Sequence, residues 1–371
     1  MINRERLLTQ FLEYVQIDSE SRHEKAMADR LVSDLQAMGL QVRTDHAGEM
    51  FGSDGYNVIA KLEGDGTPIL LSAHIDTVTP GRGVKPYVKD GVVYSDGTTI
   101  LGSDDKSGVC GIMEALRVIV ESGMAHRAAE IVFSVGEEVG LYGAKALDLE
   151  EIKSKKGFIF DASGDVGRII VSAPGQINLR ARVIGRSAHA GNAPEKGISA
   201  IAVLAHAIAR MNLLRIDEET TCNIGTIRSE YPTNIVPAQA EMIAEVRSRS
   251  LKKLEAQAEH MRACLQETCD EMGAQLECTM KTNYVSYRFA PENETVRMAV
   301  QALERIGVQA QYMQGGGGSD ANVYNQKGLE SIVLGTGMTD VHTTAENITL
   351  ENLEKTAQLA LSLLQAEKGD A

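Results

Sequence analysis

The stretch PILLSAHID, residues 68–76, is an apolar run that stops on two chemistry-bearing side chains, His74 and Asp76. A short, mostly apolar run of this kind, bounded by turns, reads as a strand. Residues 97–108, GTTILGSDDKSG, follow it and lead into a helix expected over Lys106–Ser122. Strand, loop and helix in that order form one unit of an α/β sheet, with chemistry at the strand ends. The same alternation extends outward. Leu7, Leu8, Phe11, Leu12 and Val15 recur at helical spacing, as do Ala26, Ala28, Leu31, Leu35 and Met38 before Gly39. Strands are expected at NVIAKLEG (57–64), GVVYSDG (91–97), EIVFSVGEE (130–138), KGFIFDASGD (156–165) and GRIIVSAP (167–174).

At Ala173-Pro174-Gly175 the pattern changes. A strand at INLRARVIG, a helix over residues 198–214 and strands at CNIGTIRS and AEMIAEVRS follow, then a helix over Leu251–Met272 and a strand at AQLECTMKTNYV. That order, βαββαβ, is the ferredoxin-like arrangement. After Pro291 the first pattern resumes through VRMAVQALERIG, the glycine run Gly315–Gly318, SIVLGTGM and a last helix from Leu350. The fold class is therefore α/β with two domains: residues 1–174 and 290–371 form a mixed-sheet domain, split by an inserted module over residues 175–289.

A chain of 371 residues exceeds the size at which one core usually suffices. Hydrophobic residues make up 43% and charged residues 24%, an ordinary globular mixture, but aromatics are only 4%, so the core must be aliphatic. A net charge of −14 argues against a nucleic-acid partner. Five cysteines without CxxC spacing supply neither a disulfide framework nor a zinc ribbon. The opening MINRERLLTQFLEYVQIDSES is charged and lacks the apolar core of a signal peptide, and no run approaches 18 apolar residues. A cytoplasmic protein with no membrane partner is the expectation.

The candidate functional residues lie at strand ends. On a strand, residues two apart share a face, so His74 and Asp76 project together. Asp104 and Asp105 are adjacent acids, costly unless a cation lies between them. Glu137 and Glu138 follow EIVFSV, Asp161 follows GFIF, and His342 precedes the last helix. Histidine and carboxylate ligands together suit zinc or cobalt, with manganese as a further alternative. Each signal alone is cheap. HxD pairs, adjacent acids and loop histidines occur on any surface, and it is their ordered recurrence at strand ends that separates them from solvated charge.

In this order HxD, GSDDKSG, a strand-terminal EE, a strand-terminal Asp and a late His resemble the zinc-exopeptidase family of peptidase T, carboxypeptidase G and the aminoacylases. GTTILGSDDKSG, SVGEEVG, SAHAGNAPEKGISAI and GGGGSDANVYNQKG are most similar to the peptidase T group. The resemblance covers nearly the whole chain. It implies two divalent metal ions, most simply zinc, with Asp104 bridging them. His74 and Asp161 would complete one metal site, and Glu138 and His342 the other. Glu137 would be the general base and Asp76 the partner of His74, and the Asp104–Asp105 peptide would be cis. In relatives the counterpart of His189 reaches across a dimer interface to the reacting oxygen. The counterparts of Asn234 and Arg247 contact substrate, and a guanidinium suits a peptide's terminal carboxylate. The implied function is removal of the N-terminal residue from short peptides, tripeptides among them, by a homodimer paired through the inserted module. Two alternatives stand beside it: an N-acyl amino acid deacylase using the same residues, and a silent binding paralogue that keeps the fold without the reaction. The second would lack Glu137 or a ligand, and all are present.

Overall fold

A computed structural model describes residues 1–365 and divides the chain into two compact units. The first comprises Met1–Val171, Phe289–Gly315 and the residues from Ser319 onward; the second comprises Ser172–Arg288 with Gly316–Gly318.

In the first unit a mixed sheet runs in the order Gln41–Thr44, Val58–Leu62, Arg127–Ser134, Asp65–His74, Lys156–Ala162, Glu330–Gly335 and Arg168–Ala173. Its central four strands, Arg127–Ser134 through Glu330–Gly335, are mutually parallel, while Val58–Leu62 and Arg168–Ala173 run antiparallel to their neighbours. The PILLSAHID strand is central: Ile69, Leu70, Leu71, Ser72 and Ala73 are all buried. Its neighbours on either side are strands that come later in the chain, which is how a parallel sheet joined by crossovers is built. The helix Ser103–Ser122 packs on this strand and against Leu350–Leu364 and Arg4–Val15. The helix Asp320–Gln326 packs on Lys156–Ala162 and Glu330–Gly335.

Local signals mark the helix ends. Thr349 caps Leu350–Leu364 by accepting from Asn352 N–H at 3.0 Å. Ser250 opens Leu251–Met272, and Gly273, at φ +72°, closes it in the left-handed conformation that costs glycine least. No helix among the described residues is long and apolar enough to cross a membrane.

The second unit carries an antiparallel sheet in the order Leu214–Arg215, Thr220–Arg228, Gln239–Ser248, Gly175–Ile184, Gln275–Tyr284. Helices Ala200–Arg210 and Leu251–Met272 bury Val203, Leu204, Leu254, Met261 and Leu265 against Leu179, Val183, Met242 and Val246. The βαββαβ order is present, with one addition. The first of these helices stops at Arg210, and Leu214, at φ 64°, starts a two-residue strand instead of continuing to residue 214.

Two details differ from the sequence expectation. GVVYSDG does not join the large sheet; Val92–Tyr94 pairs with Asn347–Thr349 in a separate small sheet, Val93 opposite Ile348. Gly316–Gly318 groups with the second unit instead of the first. The cause is close approach: a Cβ on Gly318 would meet the Tyr284 hydroxyl at 2.6 Å, and one on Gly317 would lie 3.7 Å from Arg247 Nη1.

Candidate metal centre

Parallel strands present functional groups at their carboxyl ends. His74 is the last residue of Asp65–His74, and its Cα partner on the neighbouring strand is Ser134. Two residues beyond Ser134, the chain turns through Gly136, at φ +63°, and delivers Glu137 and Glu138. Asp161 lies near the end of Lys156–Ala162. Asp104 and Asp105 have non-helical backbone angles inside the first turn of Ser103–Ser122, so the regular helix begins at Lys106 as the sequence expects. The Asp104–Asp105 peptide is cis. His342 occupies a turn in the left-handed region, at φ 64°.

These segments converge. His74 Nε2 lies 2.9 Å from Asp104 Oδ1 and 3.5 Å from Asp161 Oδ1. His342 Nε2 lies 3.2 Å from Asp104 Oδ2 and 3.0 Å from Glu138 Oε1. Asp104 thus turns one carboxylate oxygen toward each histidine. Among the described residues, three groups could hold a cation: His74–Asp104–Asp161, Asp104–Glu138–His342 and His74–Glu137–Glu138. The first two are the sets the resemblance implies, and they share Asp104.

The polar contacts test whether a cation fits. Glu138 Oε1 is buried and accepts no hydrogen bond, although an imidazole nitrogen lies beside it. Such a contact between two donor atoms is what ligands of a common ion show. Burial, then the neighbouring Asp161 carboxylate, pushes Asp105 and Glu137 well above the ordinary carboxylate range. Burial likewise raises Glu138 and Asp161. Burial also opposes the charge on Asp104, but contacts to His342 and His74 hold it below its usual value. His342 is pushed up to about 10 by Asp104 and Glu138. Five clustered acids with two imidazoles leave an excess of negative charge that divalent cations would neutralise. His342 is the open side of the cluster, with its side chain 52% exposed, whereas that of His74 is 2% exposed.

Asp76 sits behind this set. Its backbone carbonyl accepts from His74 Nδ1 at 2.9 Å, which fixes the tautomer and leaves the Nε2 lone pair facing Asp104 and Asp161. The Asp76 carboxylate is farther from that ring, 3.5 Å from Nδ1, and spends its oxygens elsewhere. Oδ1 accepts from Glu137 N–H at 2.9 Å; Oδ2 accepts from Ser21 Oγ at 2.7 Å and Glu138 N–H at 3.3 Å. Asp76 therefore shapes the Glu137–Glu138 turn as well as the His74 ring.

His189, Asn234 and Arg247 belong to the second unit. His189 Nδ1 accepts from the amides of Gly191 and Asn192, both at 3.1 Å, so the neutral ring carries its proton on Nε2. Ala190 N–H donates to the Asn234 carbonyl at 2.9 Å, placing the two candidate segments side by side. Arg247 is held from its own strand: Nε and Nη2 donate to Glu245 at 2.9 and 3.1 Å. Gln176 Nε2 donates to the same carboxylate at 2.5 Å.

Sequence reasoning missed several residues here. Glu245 was one acid among many, although its spacing of two from Arg247 on a strand puts both on one face. Asp320 is buried beside the cluster, accepts from Ser134 Oγ at 2.5 Å and is pushed up to about 7 by burial. The SDAN tetrad after the glycine run was its only signal. Glu346, four residues after His342, carried no motif at all.

Residues 70–366 match the profile of the peptidase family M20/M25/M40. The chain is 41% identical to the uncharacterized protein YqjE of Bacillus subtilis over 367 residues, 98% of this chain and 99% of that one. Two solved structures each align over 98% of both chains: aminopeptidase PepT from Bacillus cereus (43% identity, TM-score 0.90) and a tripeptidase from Staphylococcus aureus (38%, TM-score 0.94). With the profile spanning most of its length and these relatives spanning nearly all of it, the chain belongs to the peptidase family M20/M25/M40.

Proposed function

We propose that the protein is a two-metal aminopeptidase that removes the N-terminal residue of short peptides, tripeptides first among them. The observation that carries this reading is the pair of ligand sets sharing Asp104, with Glu137 beside them. The likeness to a PepT aminopeptidase and a tripeptidase supports the substrate class. His74, Asp104 and Asp161 would hold one divalent ion, and Asp104, Glu138 and His342 the other, with zinc the simplest choice for this donor set. When bound, such ions supply Lewis acidity to a scissile carbonyl and make water a stronger acid.

The chain's own groups do the rest. Glu137 takes a proton from the attacking water and returns it to the leaving amine; burial, then the neighbouring Asp161 carboxylate, raises its pKa and makes it a better acceptor. Asp76 fixes the Glu137 and Glu138 amides and, through its carbonyl, the His74 ring. His189 offers its Nε2–H to the developing oxyanion. In this reading that donor comes from a partner subunit, in a homodimer formed through the second unit. Arg247, oriented by Glu245, receives the peptide's terminal carboxylate, and Asn234 contacts the substrate backbone.

The test is hydrolysis of a panel of dipeptides, tripeptides, tetrapeptides and N-acetyl amino acids, with zinc, cobalt or manganese and a chelator control. Chelator-sensitive release of the first residue from a free-amine tripeptide is the expected result. Turnover of the acylated compounds alone would replace aminopeptidase with deacylase.

A further inference from the structure

The strongest unassigned feature is a single buried carboxylate with four donors on it. Glu346 is 1% exposed. Its Oε2 accepts from Leu101 N–H at 2.9 Å and Gly102 N–H at 2.8 Å. Its Oε1 accepts from Ser103 Oγ at 2.7 Å and Asp104 N–H at 2.9 Å. The whole approach to Asp104 is therefore wrapped around one side chain.

Glu346 also belongs to the turn that carries His342. Its own N–H donates to the Thr343 carbonyl at 3.2 Å, and Thr343 Oγ1 donates to the Asp340 carbonyl at 2.7 Å. Asp340 and His342 lie in the left-handed region, at φ 51° and 64°, a conformation non-glycine residues hold only when their surroundings impose it. The two segments joined by this carboxylate are the two that meet at 3.2 Å, His342 Nε2 against Asp104 Oδ2.

We propose that Glu346 is a positioning residue that sets the distance between Asp104 and His342 and so prepares the Asp104–Glu138–His342 set for its cation. The proposal rests on the two-metal reading above. Glu346 touches neither substrate nor cation; it acts through the Asp104 amide and the His342 turn. Outer partners of this kind typically change metal affinity 10–100-fold.

Glu346→Gln is the discriminating change. An amide nitrogen in place of Oε2 would face two backbone N–H groups. In place of Oε1 it would face one, because the Ser103 hydroxyl can turn and accept. The second orientation is the cheaper, and it removes the acceptor from Asp104. A matched control exists in the same unit. Glu130 is also buried and also tethers a loop, accepting from Lys153 N–H at 3.1 Å, Ser154 N–H at 2.8 Å and Ser154 Oγ at 2.7 Å. It lies four residues back from Ser134, about 13 Å along the strand from the cluster.

Metal-free wild type, E346Q and E130Q are titrated with Zn²⁺ by calorimetry and with Co²⁺ by visible absorption, which reports ligand geometry. E346Q is expected to bind the weaker equivalent at least tenfold less tightly and to alter the Co²⁺ spectrum, while E130Q matches wild type in both even where its Tm falls. E346Q binding both equivalents within threefold of wild type, with an unchanged spectrum, would overturn the proposal. So would an equal loss in E130Q, which would make the effect one of general stability. Failure of wild type to bind any divalent ion would instead remove the two-metal reading beneath it. Should E346Q not fold, amide exchange in the metal-free native chain decides. Protection at Leu101, Gly102 and Asp104 equal to that of Leu70–Ala73 supports the tether, and solvent-like exchange there refutes it.

Discussion

Gly108 ends the GSDDKSG run and lies where the helix Ser103–Ser122 packs tightly on the strand bearing Asp161. A Cβ built there would meet Asp105 Oδ1 at 2.6 Å and Phe160 Cβ at 2.9 Å, with the Phe160 carbonyl closer still. Gly108 has helical backbone angles, so Gly108→Ala carries no φ penalty, and helix propensity would favour alanine by about 1 kcal/mol. Any loss must come from the contact. Carbon atoms prefer separations of about 3.5 Å or more, so helix and strand must part by roughly 0.6 Å, and by more if the carbonyl cannot tilt. Asp104 rides on one of these elements and Asp161 on the other. Metal–ligand distances tolerate about 0.2 Å, so the His74–Asp104–Asp161 set would be stretched beyond its range. Overpacking of this kind costs roughly 1–3 kcal/mol of stability. A displacement approaching 1 Å at reacting groups costs on the order of 10²-fold in rate.

The assay is Zn²⁺ affinity by calorimetry together with kcat on a free-amine tripeptide. G108A should lose at least tenfold in affinity for one equivalent and roughly 10²-fold in kcat. Gly111→Ala is the comparison. It lies one turn along the same helix, and its added methyl would meet Thr356 Cγ2 at 2.6 Å, against the last helix and away from Asp161. G111A should lower Tm while leaving metal affinity alone. If G108A keeps both affinity and kcat within threefold of wild type, the claim that this glycine sets the Asp104–Asp161 spacing is wrong.

Three further outcomes follow from the same geometry. Glu137→Gln keeps the shape of the side chain but not its basicity, so metal content should hold while kcat falls by roughly 10²–10⁴-fold; turnover within tenfold of wild type would remove Glu137 as the base. In the metal-free protein, contacts to Asp104 and Glu138 raise His342 to about 10, above the ordinary value near 6.5, so at neutral pH the ring is protonated and must lose that proton to become a ligand. Apparent metal affinity should then rise about tenfold per pH unit from roughly pH 7 toward 10, with close to one proton released from His342 per ion bound at that set; calorimetry in buffers of different ionisation enthalpy measures the release, and a pH-independent affinity would contradict it. His189→Ala should lower kcat by roughly 10²–10³-fold with metal content unchanged, and an unaltered kcat would end its oxyanion role.

The strands of the parallel core were legible because burial on both faces leaves a plain mark, a mostly apolar run such as Ile69–Ala73, interrupted only by Ser72. The βαββαβ order of the second unit was legible for a related reason. Its strands alternate and its helices keep their period, as in Leu251–Met272, whose expected bounds are those the structure closes with Ser250 and Gly273. Strand order was not legible. Nothing local to GVVYSDG says that Val93 pairs with Ile348, some 250 residues later, and pairing over such separations is decided by packing.

The candidate site divides along the same line. Groups that would touch a cation or a reacting atom sit in short distinctive strings, because turning a strand end sharply toward a common point demands glycines and a dense run of ligand types. The residues that hold those groups in place are under no such demand. Asp76 was read as the partner of one ring, yet its carboxylate also binds two amides and a hydroxyl. Glu346 organises four consecutive residues from 242 or more positions away, and to the sequence it is one acid in a polar loop. A carboxylate that accepts from backbone N–H groups recognises main chain, which is the same in every residue, so its targets leave no side-chain signature to read. This predicts where sequence-based assignment will keep failing in such a centre: at the buried acids one step behind the ligands, whose partners are amides.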